Sequence, residues 1–163
     1  MRFVIIGSGF AGLNAAIKMK KKLKQSEHDV IVISEKDEFV FRPSLIWIPF
    51  HEHDIKNFTF LLRPTYDKIG VTFIENQVQA LYPKQNQVIC QNDEIIEYDY
   101  LIIATGASPD WAKIEGLETR SLAVYDLASA LETKNKIESL TEGDPIVIGI
   151  AEDNPNPGIA YEF

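Results

Sequence analysis

A single cysteine, Cys90, stands among 163 residues, so neither an internal disulfide framework nor a multi-cysteine metal site can be built within this chain. Basic side chains are also in short supply: 16 Lys and Arg face 24 Asp and Glu, a formal net charge of −8. That balance excludes the basic face by which nucleic-acid binders meet phosphates. No apolar run approaches the roughly 18 residues of a membrane-spanning helix. Met1-Arg2-Phe3 leads straight into a strand-like segment, with no signal-peptide architecture. Internal repeats and low-complexity tracts are lacking too. What remains is 45% hydrophobic and 25% charged, close to the globular average, which excludes a disordered tail. The expectation is a soluble, cytoplasmic protein with length for one domain and little more.

Buried-strand patterns come first. Phe3-Val4-Ile5-Ile6 is a short apolar run stopped by Gly7, and Asp29-Val30-Ile31-Val32-Ile33-Ser34 is a second. Runs of this kind suit parallel strands covered on both faces. Between them Phe10, Leu13 and Ile17 recur at helical spacing, and five lysines between Lys18 and Lys24 complement the negative end of that helix. Strand, helix and strand within about 30 residues make a right-handed βαβ unit. Residues 39–50 are apolar but broken by Pro43 and Pro49, and read as a structured loop. A short helix is expected over residues 58–69, closed by Gly70, with Pro64 as an alternative first turn.

Apolar runs at residues 71–75, 78–82, 88–91 and 95–98 follow, the later ones joined by short polar links that predict antiparallel hairpins. Leu101-Ile102-Ile103-Ala104-Thr105-Gly106 predicts another buried strand, residues 126–140 a helix, and Ile146-Val147-Ile148-Gly149-Ile150 a final strand. The helix suggested after Gly158 has about one turn before Phe163. The expectation is therefore a longer protein, with residues 1–140 as one dinucleotide-binding domain and 141–163 opening a second.

The segment Gly7-Ser8-Gly9-Phe10-Ala11-Gly12 fits G-x-G-x-x-G, a weak signal alone that its context strengthens. It follows a strand, opens a helix, and has Glu35 placed 23 positions after Gly12 at the end of the second strand. Gly7 permits the tight turn, Gly9 lets a pyrophosphate approach the backbone, and Gly12 lets helix and strand pack closely. The open N–H groups at the helix start then receive phosphate charge. Glu35 can accept hydrogen bonds from both ribose hydroxyls.

The fingerprint, Glu35 and Tyr98-Asp99-Tyr100-Leu101-Ile102-Ile103-Ala104-Thr105-Gly106 together resemble the FAD-dependent pyridine nucleotide-disulfide oxidoreductases, which carry two dinucleotide domains. Phe39-Val40-Phe41-Arg42-Pro43-Ser44-Leu45-Ile46-Trp47 and Gly158-Ile159-Ala160-Tyr161-Glu162-Phe163 narrow the resemblance to the sulfide:quinone oxidoreductase branch, including the flavin subunit of flavocytochrome c sulfide dehydrogenase. The resemblance covers essentially the whole chain and matches the N-terminal part of a longer enzyme. It implies an α/β, Rossmann-like FAD/NAD(P)-binding fold: a central parallel sheet, helices on one face and a small antiparallel sheet on the other. It implies FAD as cofactor. Gly7, Ser8, Gly9, Phe10, Ala11, Gly12, Ser34 and Glu35 would hold the ADP half. Arg42, Pro43 and Ser44 would lie by the flavin, Val78 by the adenine, and Ala104, Thr105, Gly106 and Ala107 along the dinucleotide. The implied partners are a small-molecule reductant and a quinone-type acceptor, with peripheral membrane contact through a C-terminal part beyond these residues. A homodimer covering open sheet edges is a further expectation.

Sulfide-oxidising members carry flavin-side cysteines where this chain has Ala123 and Asn156, and neither residue can form a thiolate or persulfide. No catalytic side chain is therefore named, and Cys90, in a strand-like run, reads as a packed thiol. Residues 39–50 also lack the Cys-x4-Cys pair of disulfide reductases, and the segment from Gly149 to Asn154 lacks a second G-x-G-x-x-G. His51 and His53, the best metal candidates, have no third ligand nearby, so no metal is expected. Two alternatives stay open: a type II NADH dehydrogenase-like flavoprotein, and a non-catalytic nucleotide-binding module.

Overall fold

A computed structural model describes residues 1–23, 28–50 and 54–149. The chain divides into two compact units, one of Met1–Val40 with Thr59–Ser108, the other of Phe41–Phe58 with Pro109–Phe163.

The first unit contains strands β1 (Arg2–Ile6), β2 (Asp29–Ser34), β3 (Phe39–Val40), β4 (Thr59–Phe60), β5 (Thr72–Glu75), β6 (Val78–Tyr82), β7 (Gln87–Cys90), β8 (Ile95–Glu97) and β9 (Tyr100–Ile103), with helices α1 (Phe10–Lys22) and α2 (Leu62–Ile69). Four strands form one parallel sheet in the order β5-β2-β1-β9. Side chains alternate across the pleat, so β1 and β2 each feed two cores. Ile5, Val30 and Val32 pack with Leu13, Ala16, Leu62, Tyr66 and Phe73 on the helical side. Val4, Ile6, Ile31 and Ile33 pack with Val88, Cys90 and Ile96 of the antiparallel sheet β6-β7-β8 on the other. Continuous apolar runs are what a strand buried on both faces requires. The expected three-layer order of helices, parallel sheet and small antiparallel sheet is the order observed.

Several elements differ from expectation. The loop foreseen over residues 39–50 instead pairs β3 with β4 and then forms a 3-10 helix, Arg42–Phe50. The helix foreseen from residue 58 begins at Leu62, because residues 59–60 are taken up as β4; Gly70 ends it in the left-handed conformation. The last parallel strand is half exposed rather than buried, with Ile103 at 61%, because among the described residues β9 is an edge with only β1 beside it. Ile146, Val147 and Ile148 lie in irregular, exposed backbone. Extended backbone becomes a strand only where a neighbour takes its hydrogen bonds, and no described residue pairs with these. Ile150 and the expected helix after Gly158 fall outside the described residues.

The second unit holds the 3-10 helices Arg42–Phe50, Ile55–Asn57 and Trp111–Lys113, with α3 (Leu117–Arg120) and α4 (Leu127–Glu138). Buried Leu45, Ile46 and Ile48 belong to the 3-10 helix that packs against α4, which buries Ala130 and Thr133. A capping box starts α4: the Ser129 N–H donates to Asp126 Oδ1 at 2.8 Å, and Ser129 Oγ accepts the Asp126 N–H at 3.1 Å. The Ser129 N–H holds the Asp126 carboxyl below its ordinary value of 3.8. A lowered carboxylate stabilises the fold above that value and stops doing so as pH falls through the native pKa. Asp126→Ala should cost about 1 kcal/mol at neutral pH. In thermal melts the difference from wild type should shrink as pH falls below 3.8 and through the lowered native pKa of this carboxyl.

Candidate functional site

Gly7 leaves the C-terminal end of β1 with φ +94°, a region that side chains avoid, and its N–H donates to the Ile33 carbonyl at 2.8 Å. A Cβ on Gly7 would stand 2.3 Å from the Ala104 carbonyl oxygen, and one on Gly12 only 1.9 Å from the Gly7 carbonyl oxygen. A Cβ on Gly9 would meet nothing within 4 Å. Two glycines are thus demanded by the fold itself, while the middle one keeps space open above the backbone. Behind it α1 begins with Gly9 as N-cap, without a side-chain cap and without an acidic residue in the first turn. Phe10 and Ala11, the first helical residues, are exposed beside that end.

The loop is tied to its neighbours at several points. Ser8 is buried, and its hydroxyl donates to Ser34 Oγ at 2.7 Å, joining the loop to the end of β2. The Ala104 N–H donates to the Ile6 carbonyl at 2.8 Å, and Thr105, Gly106 and Ala107 emerge exposed beyond β9. Gly106 has φ +77° and open space where a Cβ would be. Glu35, directly after Ser34, is exposed, and its carboxylate makes no hydrogen bond or ion pair with any described residue. The structure therefore gathers Gly7 to Gly12, Ser34, Glu35 and Ala104 to Ala107 at the C-terminal ends of β1, β2 and β9. In open parallel sheets, that is the edge where ligands bind.

Val78, at the start of β6, is half buried against the cluster shared by the two sheets. Arg42, Pro43 and Ser44 belong to the second unit and open its longest 3-10 helix. Arg42 Nη1 donates to the Tyr125 hydroxyl at 3.0 Å, with the guanidinium 4.9 Å from that ring's centroid. Pro43 is exposed; Ser44 is half buried, and its N–H donates to the Phe41 carbonyl. Ala123 contributes a carbonyl, which accepts from Thr133 Oγ1 at 2.7 Å. Asn156, His51 and His53 lie outside the described residues. Among the described residues no group of His, Cys, Asp and Glu is placed to hold a metal ion. Cys90 is fully buried; burial, and secondarily the charge of Glu94, pushes its thiol pKa up.

Sequence reasoning missed Asp37, Arg63 and Glu75. The α2 N-terminus has no capping side chain of its own, and Asp37 supplies one from outside: its Oδ1 accepts the Arg63 N–H at 2.7 Å. The Arg63 side chain pairs with Asp37 at 3.5 Å and Glu75 at 3.6 Å, and its guanidinium lies 5.1 Å from the Phe73 ring centroid. The only available signal was the apolar Leu61-Leu62 at a helix start, which requires a cap from elsewhere. A concavity of about 470 Å³, lined by Met1, Arg2, Asp29, Asn86 and Asp99 among others, lies toward the N-terminal ends of β1 and β2. None of the glycine-loop residues lines it.

The space above Gly9, the uncapped start of α1 and the unengaged Glu35 carboxylate fit the ADP half of a dinucleotide: backbone N–H groups for phosphate, an acceptor for ribose. Fold and loop together define a dinucleotide-binding α/β unit. The model of the pyridine nucleotide-disulphide oxidoreductase family matches residues 1–149, and the chain belongs to that family, whose members here are FAD-binding oxidoreductases. It is 30% identical over 161 residues to the sulfide-quinone reductase of Aquifex aeolicus, covering 98% of this chain and 37% of that protein. Similarity to the type II NADH:quinone oxidoreductase of Mycobacterium tuberculosis is 30% over 157 residues, 93% of this chain and 32% of the relative. The solved sulfide:quinone oxidoreductase of Aquifex aeolicus superposes with a TM-score of 0.79 at 28% identity, over 84% of this chain and 31% of that one. The chain spans about a third of the length of these relatives. No helix among the described residues is long and apolar enough to cross a membrane.

Proposed function

We propose that this chain is the FAD-binding part of a flavoprotein oxidoreductase of the sulfide:quinone oxidoreductase type, in which the whole protein passes two electrons from a small reductant to a quinone-type acceptor. The glycine loop carries the reading. Two of its glycines are required by backbone contacts, while the third leaves open the space a pyrophosphate needs. In this reading Gly7 to Gly12 face the pyrophosphate, Ser34 and Glu35 the ribose, Val78 the adenine, and Ala104 to Ala107 the length of the dinucleotide. Arg42, Pro43 and Ser44 are assigned to the flavin. FAD, when bound, supplies two-electron redox chemistry, and the protein supplies binding and orientation. A domain boundary at residue 140, a cytoplasmic location with peripheral membrane contact, and a homodimer belong to the same proposal.

The donor divides the proposal in two. Oxidising sulfide through a persulfide needs an accessible thiolate, and the chain's one thiol is buried with its pKa raised. A second reading, a type II NADH dehydrogenase-like enzyme, shares the FAD half and differs in the donor. Titrating the purified chain with FAD, while following flavin fluorescence and tryptophan quenching, tests the common part. Stoichiometric binding is expected, weakened roughly tenfold or more by Glu35→Ala because a charge-assisted hydrogen bond is lost. Failure of both this chain and the full-length protein to bind FAD would overturn the proposal. In the full-length protein, bleaching of the bound flavin by NADH within seconds would favour the second reading, and indifference to NADH would count against it.

A further inference from the structure

We infer that Asp37, Arg63 and Glu75 form a clamp that positions Glu35 for the adenosine ribose, a role in dinucleotide recognition that extends beyond the glycine fingerprint. The inference rests on the ribose role proposed for Glu35. Its geometry lies within one unit. Upstream of Glu35, the backbone is held by the Gly7 N–H on the Ile33 carbonyl and the Asn76 N–H on the Ser34 carbonyl, both at 2.8 Å. The Ser34 side chain is held by Ser8. Downstream, the Asp37 N–H points at Glu75 Oε1 at 3.4 Å, and the Asp37 carboxylate takes both the Arg63 N–H and its guanidinium. Glu35 is thus pinned through its neighbours on both sides while its own carboxylate stays unengaged.

The charge arrangement requires explanation. Three carboxylates, Glu35, Asp37 and Glu75, stand within a short stretch of the sheet's C-terminal edge, and Arg63 pairs with two of them. The Asp37 side chain is only 19% exposed, the least of the three groups in the network, so the Asp37–Arg63 contact is the firmest part of it. Engaging Arg63 with Asp37 and Glu75 leaves Glu35 with an acceptor that no lysine or arginine of the described residues occupies. A carboxylate held at a fixed place with its oxygens unspent can meet two adjacent ribose hydroxyls. A mobile one loses ordering entropy for each bond it makes. Asp37, Arg63 and Glu75 are positioning residues, because they act through the backbone between Ser34 and Asp37.

The test compares ADP with 2′,3′-dideoxy-ADP, which lacks both ribose hydroxyls, by calorimetric titration of the whole chain. Wild type should bind ADP about tenfold more tightly than the dideoxy analogue. Arg63→Met keeps the aliphatic stem over Phe73 and removes the ion pairs; it should bring that ratio to about 2 or less with little effect on the dideoxy analogue. In a Glu35→Gln background the Arg63 substitution should have no further effect on ADP. Asp37→Asn, which retains an oxygen for the Arg63 N–H, should lower the ratio in the same direction if Arg63→Met proves unstable in melts. Equal weakening of both ligands, or an unchanged ratio in a folded variant, would overturn the clamp. A wild-type ratio near 1 would instead overturn the ribose role of Glu35, and the clamp with it.

Discussion

Gly12→Ala should lower the unfolding free energy by about 3 kcal/mol, whereas Gly9→Ala should leave the fold intact and weaken dinucleotide binding by about a hundredfold. The first expectation follows from the 1.9 Å separation between an added Cβ and the Gly7 carbonyl oxygen, where the blocking atom is backbone and has no rotamer to adopt. Relief requires α1 to move away from β1, and α1 carries Leu13 and Ala16 of the core. Overpacking of this kind costs about 1–3 kcal/mol, and the upper end applies where backbone must shift. The melting temperature should fall by roughly 10 °C. Gly9 differs: its φ of −69° suits any residue, and nothing lies within 4 Å of its added Cβ. Gly9→Ala should therefore melt within about 2 °C of wild type, since an unstrained alanine is worth only tenths of a kcal/mol. Its methyl would occupy the space assigned to pyrophosphate, and FAD or ADP affinity should drop by about a hundredfold, the scale of one or two lost charge-assisted hydrogen bonds. Equal destabilisation by both substitutions would remove the distinction between fold glycine and ligand glycine.

Alkaline pH should destabilise the first unit through Tyr66. This side chain is fully buried between α2 and the sheet, stacked on Phe73 at 5.3 Å, and its hydroxyl has no hydrogen-bond partner among the described residues. Burial pushes its pKa from 10.0 up to about 12. In the native state the phenol stays neutral while the unfolded chain already ionises, so stability is full below pH 10 and falls between pH 10 and 12. Two units correspond to about 2–3 kcal/mol. Tyr66→Phe should remove most of that slope in denaturant titrations across this range. A remainder should begin nearer pH 9, where the raised Cys90 thiol makes a contribution of the same sign. At neutral pH the same substitution should stabilise the protein by about 1 kcal/mol, because an unsatisfied buried hydroxyl is deleted with the ring retained. An unchanged alkaline slope would mean that Tyr66 reaches solvent in the native ensemble.

Much of this architecture was legible because it is written in local patterns. Apolar runs cut off by Gly7 and Ser34 gave β1 and β2 to within a residue. The polar links around Asn86 and Asp93 announced the β6-β7-β8 hairpins, and both residues adopt the positive φ that Asn and Asp tolerate. The glycine fingerprint was legible from its spacing, but only Gly12 answers a steric demand from a few residues away, the Gly7 carbonyl; Gly7 is required by Ala104 on a distant strand, and Gly9 by no atom of the described residues. What failed were segments whose state depends on a distant neighbour. Residues 39–40 read as loop until Thr59 and Phe60 paired with them, and Ile146-Val147-Ile148 read as strand although no described strand adjoins them.

By itself the sequence determined the βαβ beginning, the loop that turns on Gly7, the acidic residue that ends β2 and the solitary cysteine, each a matter of residue type and short spacing. Tertiary structure alone decided that Cys90 lies sealed between two sheets, that the buried Tyr66 hydroxyl has no hydrogen-bond partner among the described residues, and that Asp37 caps a helix 26 positions away while Arg63 bridges it to Glu75. The physical reason is range. Turn sterics and periodicity act over a few residues, whereas burial and ion pairing depend on which strands become neighbours, and here that order runs β5-β2-β1-β9 against the order of the chain.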